Sequence, residues 1–361
     1  MPWIWQSPAW PEFTCDAARL AAPLARATEA IGEIGGLQQG LDPAEREEML
    51  LREIVSEARA SFGIEGVTLD AAEIEASVVA SLRHRDRAGF ARRSDAIAAL
   101  MLEARGHGAP LDAAVLGRWH RLLFHGIEVE DPGRWRQAGI EIVRSAAAGR
   151  QEVLFVAPPP ERLEPEMARF LDWLAAETPE PLPVRAAIAH LWFETIHPFS
   201  DGNGRIGRAI VEHVFARGRA LPFSLSRQIE REKRVYYEAL QAGRHEAGGR
   251  IDATPFVEWF LDCLARAAGS ARDEALFLLG RNRFFLRWTP KISPRAEAVL
   301  RRIFAQGAPR VAEGLSARSY ARIAGVSGPT ATRDLAALAE AGVLRRSEAG
   351  GRSTSYAIVL D

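Results

Sequence analysis

Cysteine is nearly absent from this chain. Cys15 and Cys263 are the only two among 361 residues, and neither sits in a spacing that would gather a metal or build a disulfide framework. Lysine is as scarce, so 44 of the 46 basic residues are arginine, which reflects genome base composition before it reflects function. No apolar run approaches the roughly 18 residues a membrane span needs. The segment Met1–Phe13 carries three tryptophans but neither a basic start nor a long apolar stretch, so no secretory leader is expected and the chain reads as cytoplasmic. A net charge of −1 provides no field that would draw nucleic acid to the whole molecule. No repeat of 20–50 residues is evident. What is present is an ordinary globular composition, 47% hydrophobic and 26% charged, at a length that fits two or three domains.

Helical periodicity dominates. Asp16–Ile34 and Pro43 to about Ala60 read as helices; in the second, Pro43 suits the first turn, Glu45, Glu47 and Glu48 suit the N-terminal end, and Leu50, Leu51, Ile54, Val55 and Ala58 form an apolar face. Further helices are expected near 71–87, 90–105, 112–125, 161–176, 183–196, 203–217, 229–242 and 254–280. Leu116, Trp119, His120, Leu123 and Phe124 form a core stripe, so His120 and His125 receive no catalytic role. Two β-rich runs, Gly139–Arg144 and Glu152–Val156, flank the small residues Ser145, Ala146, Ala147, Ala148 and Gly149 and predict a hairpin.

One stretch concentrates chemistry: residues 197–208, HPFSDGNGRIGR. His197 can take a proton near neutral pH, and Pro198 marks the end of the preceding helix. Asp201 offers hard oxygen ligands of the kind that suit a magnesium ion also held by phosphates. Gly202 and Gly204, flanking Asn203, allow backbone amides to approach an anion. Ile206, Ile210, Val211, Val214 and Phe215 recur at helical spacing, so the glycine turn opens a helix whose N-terminus favours negative charge. Arg205 and Arg208, three apart, share one face of it.

All nine specified positions of HPFx(D/E)GNGRxxR are matched, and on them the sequence resembles the Fic family. The resemblance implies transfer of AMP from ATP to a hydroxyl side chain (Ser, Thr or Tyr) of a target protein, with self-modification. By the same resemblance, His197 is the general base, Asp201 holds Mg2+, and Gly202, Asn203, Gly204 and Arg205 grip the phosphates, while Arg208 binds the γ-phosphate. Upstream, Ser61-Phe62-Gly63-Ile64-Glu65-Gly66 resembles the (S/T)xxxE(G/N) inhibitory motif of Fic proteins that carry their own brake, in which the glutamate pairs with the second arginine, here Arg208. Ser61, Glu65 and Gly66 are its candidate residues. The hairpin at 140–156 resembles the family's flap, on which an extended segment of the target docks. Arg234–Gln241 resembles the segment lining the adenine pocket, with Tyr237, and beside it Tyr236, as the aromatic candidates. Relatives carry an asparagine near the place of Arg244, which leaves the nucleotide donor open.

After a proline-punctuated break at 287–294, three helices (Arg295–Gln306, Ser316–Ile323, Thr330–Ala341) and a hairpin through Gly342–Ile358 resemble a winged helix-turn-helix domain. From Ser316 onward six arginines face four acids, so DNA binding through 295–361 has modest electrostatic support, and a protein-contact or dimerisation role competes with it.

The expected fold is mainly α: an N-terminal helical module at 1–88 carrying the inhibitory motif, a Fic catalytic domain with a β-hairpin flap at 89–287, and the winged-helix domain at 288–361. The family also implies a homodimer. Two other functions stay open: a de-AMPylating hydrolase using the same site, and a DNA-binding regulator whose pocket senses nucleotide.

Overall fold

The computed structural model describes residues 3–83, 90–106, 110–145, 151–347 and 354–360. The chain divides into two compact units, Met1–Ala271 and Arg272–Asp361, and the division falls inside one long helix.

The first unit opens with a short strand β1 (Phe13–Thr14) and helix α1 (Ala17–Gln39), whose first amides are capped by the Asp16 carboxylate. Helix α2 (Pro43–Ile64) starts on a capping box formed by Asp42 and Glu45 with Pro43 in its first turn. Helices α3 (Ala71–Arg83), α4 (Arg93–Arg105) and α5 (Ala113–Leu123) follow. The strands β2 (Glu141–Ser145) and β3 (Gln151–Val156) pair antiparallel with an irregularity at Ile142/Val143. Then come α6 (Leu163–Ala175), α7 (Leu182–Ile196), α8 (Asn203–Ala216), α9 (Leu225–Arg231) and α10 (Lys233–Ala242). Strands β4 (Glu246–Ala247) and β5 (Arg250–Asp252) precede α11 (Thr254–Trp288).

Helices α7 and α8 are the centre. Every residue from Val184 to Ile196 and from Arg205 to Ala216 is buried, the all-round burial of helices enclosed by others. The chemistry-bearing segment therefore joins the ends of the two most enclosed helices. Helix α2 packs against α3, α4 and α9. It is pinned to α9 by Glu57, a buried carboxylate that accepts from the Ser224 hydroxyl at 2.8 Å, the Ser226 amide at 3.0 Å and the Ser226 hydroxyl.

In the second unit α12 (Pro294–Phe304), α13 (Ala308–Ala312), α14 (Ala317–Ala324) and α15 (Gly328–Glu340) lead to the antiparallel strands β6 (Leu344–Arg346) and β7 (Tyr356–Ile358). Leu300, Ile303, Tyr320, Leu335 and Val343 form its core.

The mainly helical reading holds, with local differences. Helix α2 runs to Ile64 instead of Ala60, so the Ser61 motif lies on its last turn. Gly66, at φ +77°, is the left-handed residue that ends it. The single helix expected at 229–242 is two, because Ser224 caps an earlier start and Glu232 breaks the run. Helix α11 continues to Trp288. The sheet in which β5 lies between β1 and β4 was not expected: its strands are two or three residues long and carry no periodicity. Helix α13 was likewise missed, and α15 starts at Gly328, with Pro329 in its first turn. Residues 84–87 of the third expected helix, Ala146–Gly149 of the hairpin turn and Glu348–Arg352 of the second hairpin lie outside the described residues.

Glu57→Ala strands two hydroxyls and an amide that lose their acceptor. It should lower unfolding free energy by roughly 2–4 kcal/mol in urea titration, whereas Glu57→Gln should lose about half of that.

Candidate active site

The turn between α7 and α8 is built from backbone groups that side chains satisfy one by one. His197 ends α7 with φ +52°, a left-handed conformation uncommon for a residue with a side chain. Its carbonyl accepts from Arg136 Nε at 2.8 Å. The same buried guanidinium donates to the carbonyls of Ala138 at 2.7 Å and Pro158 at 2.6 Å, and the Arg136 amide donates to Pro198 O at 2.9 Å. Asn203 bonds twice to Phe199 through its side-chain amide, accepting from its N–H at 2.9 Å and donating to its carbonyl at 2.8 Å. His120 Nε2 lies 3.2 Å from the Asp201 carbonyl, its Nδ1 accepts from the Gly133 amide, and its ring stacks on Phe199. Burial pushes His120 down to about 4, which fits this neutral structural bridge. Gly202, at φ +82°, starts α8, whose first amides lack intrahelical acceptors.

A cavity of about 840 Å³ opens over this turn. His197, Asp201, Gly202, Asn203 and Gly204 form one side, Glu65 another, Tyr236, Tyr237 and Arg244 a third, and Ile142, Val143 and Leu154 of the hairpin face them. The imidazole Nδ1 of His197 lies 3.3 Å from the Glu194 carbonyl, and a carbonyl accepts only from N–H, so the lone pair belongs to Nε2. Burial, with Arg244 and Arg136 close by, pushes this histidine down to about 3 and keeps it neutral. Asp201 is 63% exposed at its side chain and lies 3.2 Å from Arg205 Nη2.

Arg205 and Arg208 stand off the cavity wall. The Arg205 guanidinium lies over the rings of Phe62 and Phe124 at 5.3 and 5.1 Å. Arg208 donates from Nε to Ser61 Oγ at 2.9 Å, and from Nη2 to Ser61 O at 2.7 Å and Glu65 Oε1 at 2.8 Å; its Nη1 is buried without a partner. A side chain at Gly204 would run directly into Glu65 Oε1, so only glycine admits that carboxylate over the start of α8. Tyr236 is buried with its hydroxyl 2.8 Å from His190 Nε2, while Tyr237 is half exposed to the cavity.

Of the residues selected from the sequence, His197, Asp201, Gly202, Asn203, Gly204, Tyr236, Tyr237 and Glu65 share one cavity. Ser61 and Arg208 reach it through Glu65, and Gly66 acts on the backbone alone. Sequence reasoning missed Arg136, whose partners are backbone carbonyls, those of Pro158 and His197 far away in the chain. It also missed Glu194, which its spacing of three before His197 on a helix would have offered.

Of the two carboxylates beside the phosphate-sized turn, Glu65 is paired with Arg208 and Asp201 is the exposed one, and no cluster of three metal-ligating side chains occurs among the described residues. That donor set fits Mg2+ arriving with its phosphates, and does not fit an ion caged by protein alone.

Residues 110–215 match the profile of the Fic/DOC family, and residues 3–83 match a domain of unknown function, DUF4172. The helical core around the turn is therefore similar to Fic domains. The chain is 34% identical over 131 residues to the protein adenylyltransferase Fic of Nematostella vectensis (36% of this chain, 29% of that protein). It is 27% identical over 248 residues to the one of Culex quinquefasciatus (66% and 44%). The chain thus spans less than half the length of these curated relatives. A crystal structure of a Fic family protein from Desulfovibrio desulfuricans G20 superposes with a TM-score of 0.52 at 26% identity, covering 93% of this chain and 96% of that one. Fic-1 from C. elegans shares the fold at TM-score 0.52 and 19% identity, over 73% and 74% of the two chains.

Arg136→Lys replaces a planar fork by one ammonium and strands at least two carbonyls. Urea unfolding should show a loss of about 2–4 kcal/mol.

Proposed function

We propose that this protein transfers AMP from ATP to a Ser, Thr or Tyr hydroxyl of a target protein, itself included, and that Glu65 restrains the reaction. The observation that carries the reading is the single cavity in which a neutral His197 faces the amide-rich start of α8, with Glu65 laid across that start. The curated relatives bear the name of this activity.

In this reading the acceptor hydroxyl gives its proton to His197 Nε2 as its oxygen attacks the α-phosphorus. The bond from that phosphorus to the bridging oxygen breaks, and pyrophosphate leaves. The first amides of α8 and Arg205 hold phosphate oxygens, and Tyr237 offers its face to the base. Asp201 holds a magnesium ion, whose contribution is to neutralise phosphate charge. Arg208 is the γ-phosphate ligand in waiting: with two nitrogens committed to Ser61 and Glu65, it takes the phosphate when Glu65 leaves. The target lies as an added strand along the hairpin at 140–156. Because Glu65 lines the same cavity as His197, a second reading has the carboxylate align a water that removes AMP.

For the second unit we propose a winged-helix domain with weak affinity for duplex DNA. Asp334 on α15 is turned to Arg295 at 2.9 Å and to the Tyr320 hydroxyl at 3.2 Å, while Arg333, Arg345 and Arg346 are exposed. The acid that weakens the helix in sequence is thus already paired.

Labelled ATP with magnesium tests the first reading. Glu65→Gly should raise label incorporation roughly tenfold to a hundredfold, the equivalent of a charge-assisted pair of about 1.5–3 kcal/mol. His197→Ala in that background should lower it by roughly 10²–10⁴. Equal labelling with and without His197 overturns the assignment. For the second unit, gel shifts on random duplexes should appear at 50 mM salt and fade at 200 mM; their absence at 50 mM overturns the proposal.

A further inference from the structure

We infer that Glu194 is the positioning residue of His197: its side chain holds the Nδ1 side of the imidazole and meets the positive charge that forms when Nε2 accepts the acceptor's proton. This rests on the adenylyl-transfer reading for its catalytic consequence, and on geometry alone for the pairing.

Glu194 lies one turn before His197 on α7 and is buried. Its Oε2 is 3.7 Å from His197 Nδ1. Its own backbone carbonyl, 3.3 Å from the same nitrogen, is shared with Arg244 Nη2 at 2.6 Å and carries no formal charge. The carboxylate is the group beside Nδ1 that can answer the charge of an imidazolium. Its other oxygen, Oε1, is buried without a partner. A carboxyl kept only for packing has no reason to carry that cost, which glutamine or leucine would lighten. Across the helix pair, a side chain at Gly207 of α8 would come within 3.0 Å of that oxygen, so glycine there leaves it room.

The charged and titratable groups facing Glu194 are His190 on its own helix and His197 at that helix's end, Arg208 on α8, Tyr236 on α10, Arg244 just beyond α10, and Glu65 at the end of α2. Burial pushes the Glu194 carboxyl up to about 7 against the pull of Arg244 and Arg208. Above that pH it is charged and can balance an imidazolium. Below it the carboxyl is neutral and the balance is lost, so transfer should fall as pH drops through 7. The arrangement has the logic of a base oriented by a third group. The proton passes from the acceptor oxygen to Nε2, Nδ1 keeps its own, and Glu194 accepts a hydrogen bond without taking the proton.

The experiment compares the full chain carrying Glu65→Gly with the same chain carrying Glu194→Gln, using labelled ATP and magnesium from pH 5.5 to 9. In parallel, 15N NMR follows the His197 ring, assigned by its loss in His197→Ala. The parent should show an acid limb near pH 7 and a step in the His197 nitrogen shifts at the same pH. Glu194→Gln should lower the pH 8 rate by about a hundredfold, leave KM for ATP within about twofold, shift the limb downward, and abolish the NMR step. Glu194→Asp, which withdraws the carboxylate by one methylene, should fall between. A lower rate with the limb and the step unmoved would mean packing alone and overturns the inference, as does an unchanged rate. If the parent incorporates no label, adenylyl transfer itself fails. The NMR step then decides the pairing: present in the parent and absent in Glu194→Gln upholds it, any other pattern rejects it.

Discussion

A turn buried between two enclosed helices cannot leave its backbone to water, and the site depends on how that demand is met. From His197 to Asn203 the main chain is too irregular to satisfy itself, so Arg136, Asn203 and His120 supply donors and acceptors from the side. Arg136 holds the carbonyls of His197 and Pro198, Asn203 the amide and carbonyl of Phe199, and His120 the carbonyl of Asp201, and together they hold His197 in a left-handed conformation that a free peptide would leave. The imidazole is thereby directed over the cavity without any ligand being needed to place it. Rigid placement of a base is the larger part of what such a site can contribute to a phosphoryl reaction.

The start of α8 shows a second balance, between attraction and occupancy. Helix geometry and two arginines make this place hospitable to anions. In this structure the anion that answers is the chain's own Glu65, admitted because Gly204 has no side chain. Arg208 is held on three sides by α2, with one nitrogen idle. As long as Glu65 holds this guanidinium, an anion from outside would have to displace the carboxylate to reach it.

Much of this was readable from residues 197–208, because local rules acted alone there: a glycine turn, a helical apolar stripe and a histidine before proline each have one ready interpretation. The extent of α2 was not: the apolar face was followed only to about Ala60, while the left-handed residue that stops the helix is Gly66. Arg136 was invisible because its partners are carbonyls, which every residue possesses. Asn203 lines the cavity as the sequence suggested, but its side-chain bonds to Phe199, which hold the turn, were not foreseen. The three-stranded sheet joining β1 to β5 arises from packing between segments some 240 residues apart, where strands of two or three residues leave no pattern to read.

Glu57, Ser61 and Glu65 are four apart along α2 and so lie in a single row on it. The first clasps α9 and the other two clasp Arg208. Turning or sliding this helix by one residue carries the whole row away at once, since a 100° rotation leaves none of the three in reach.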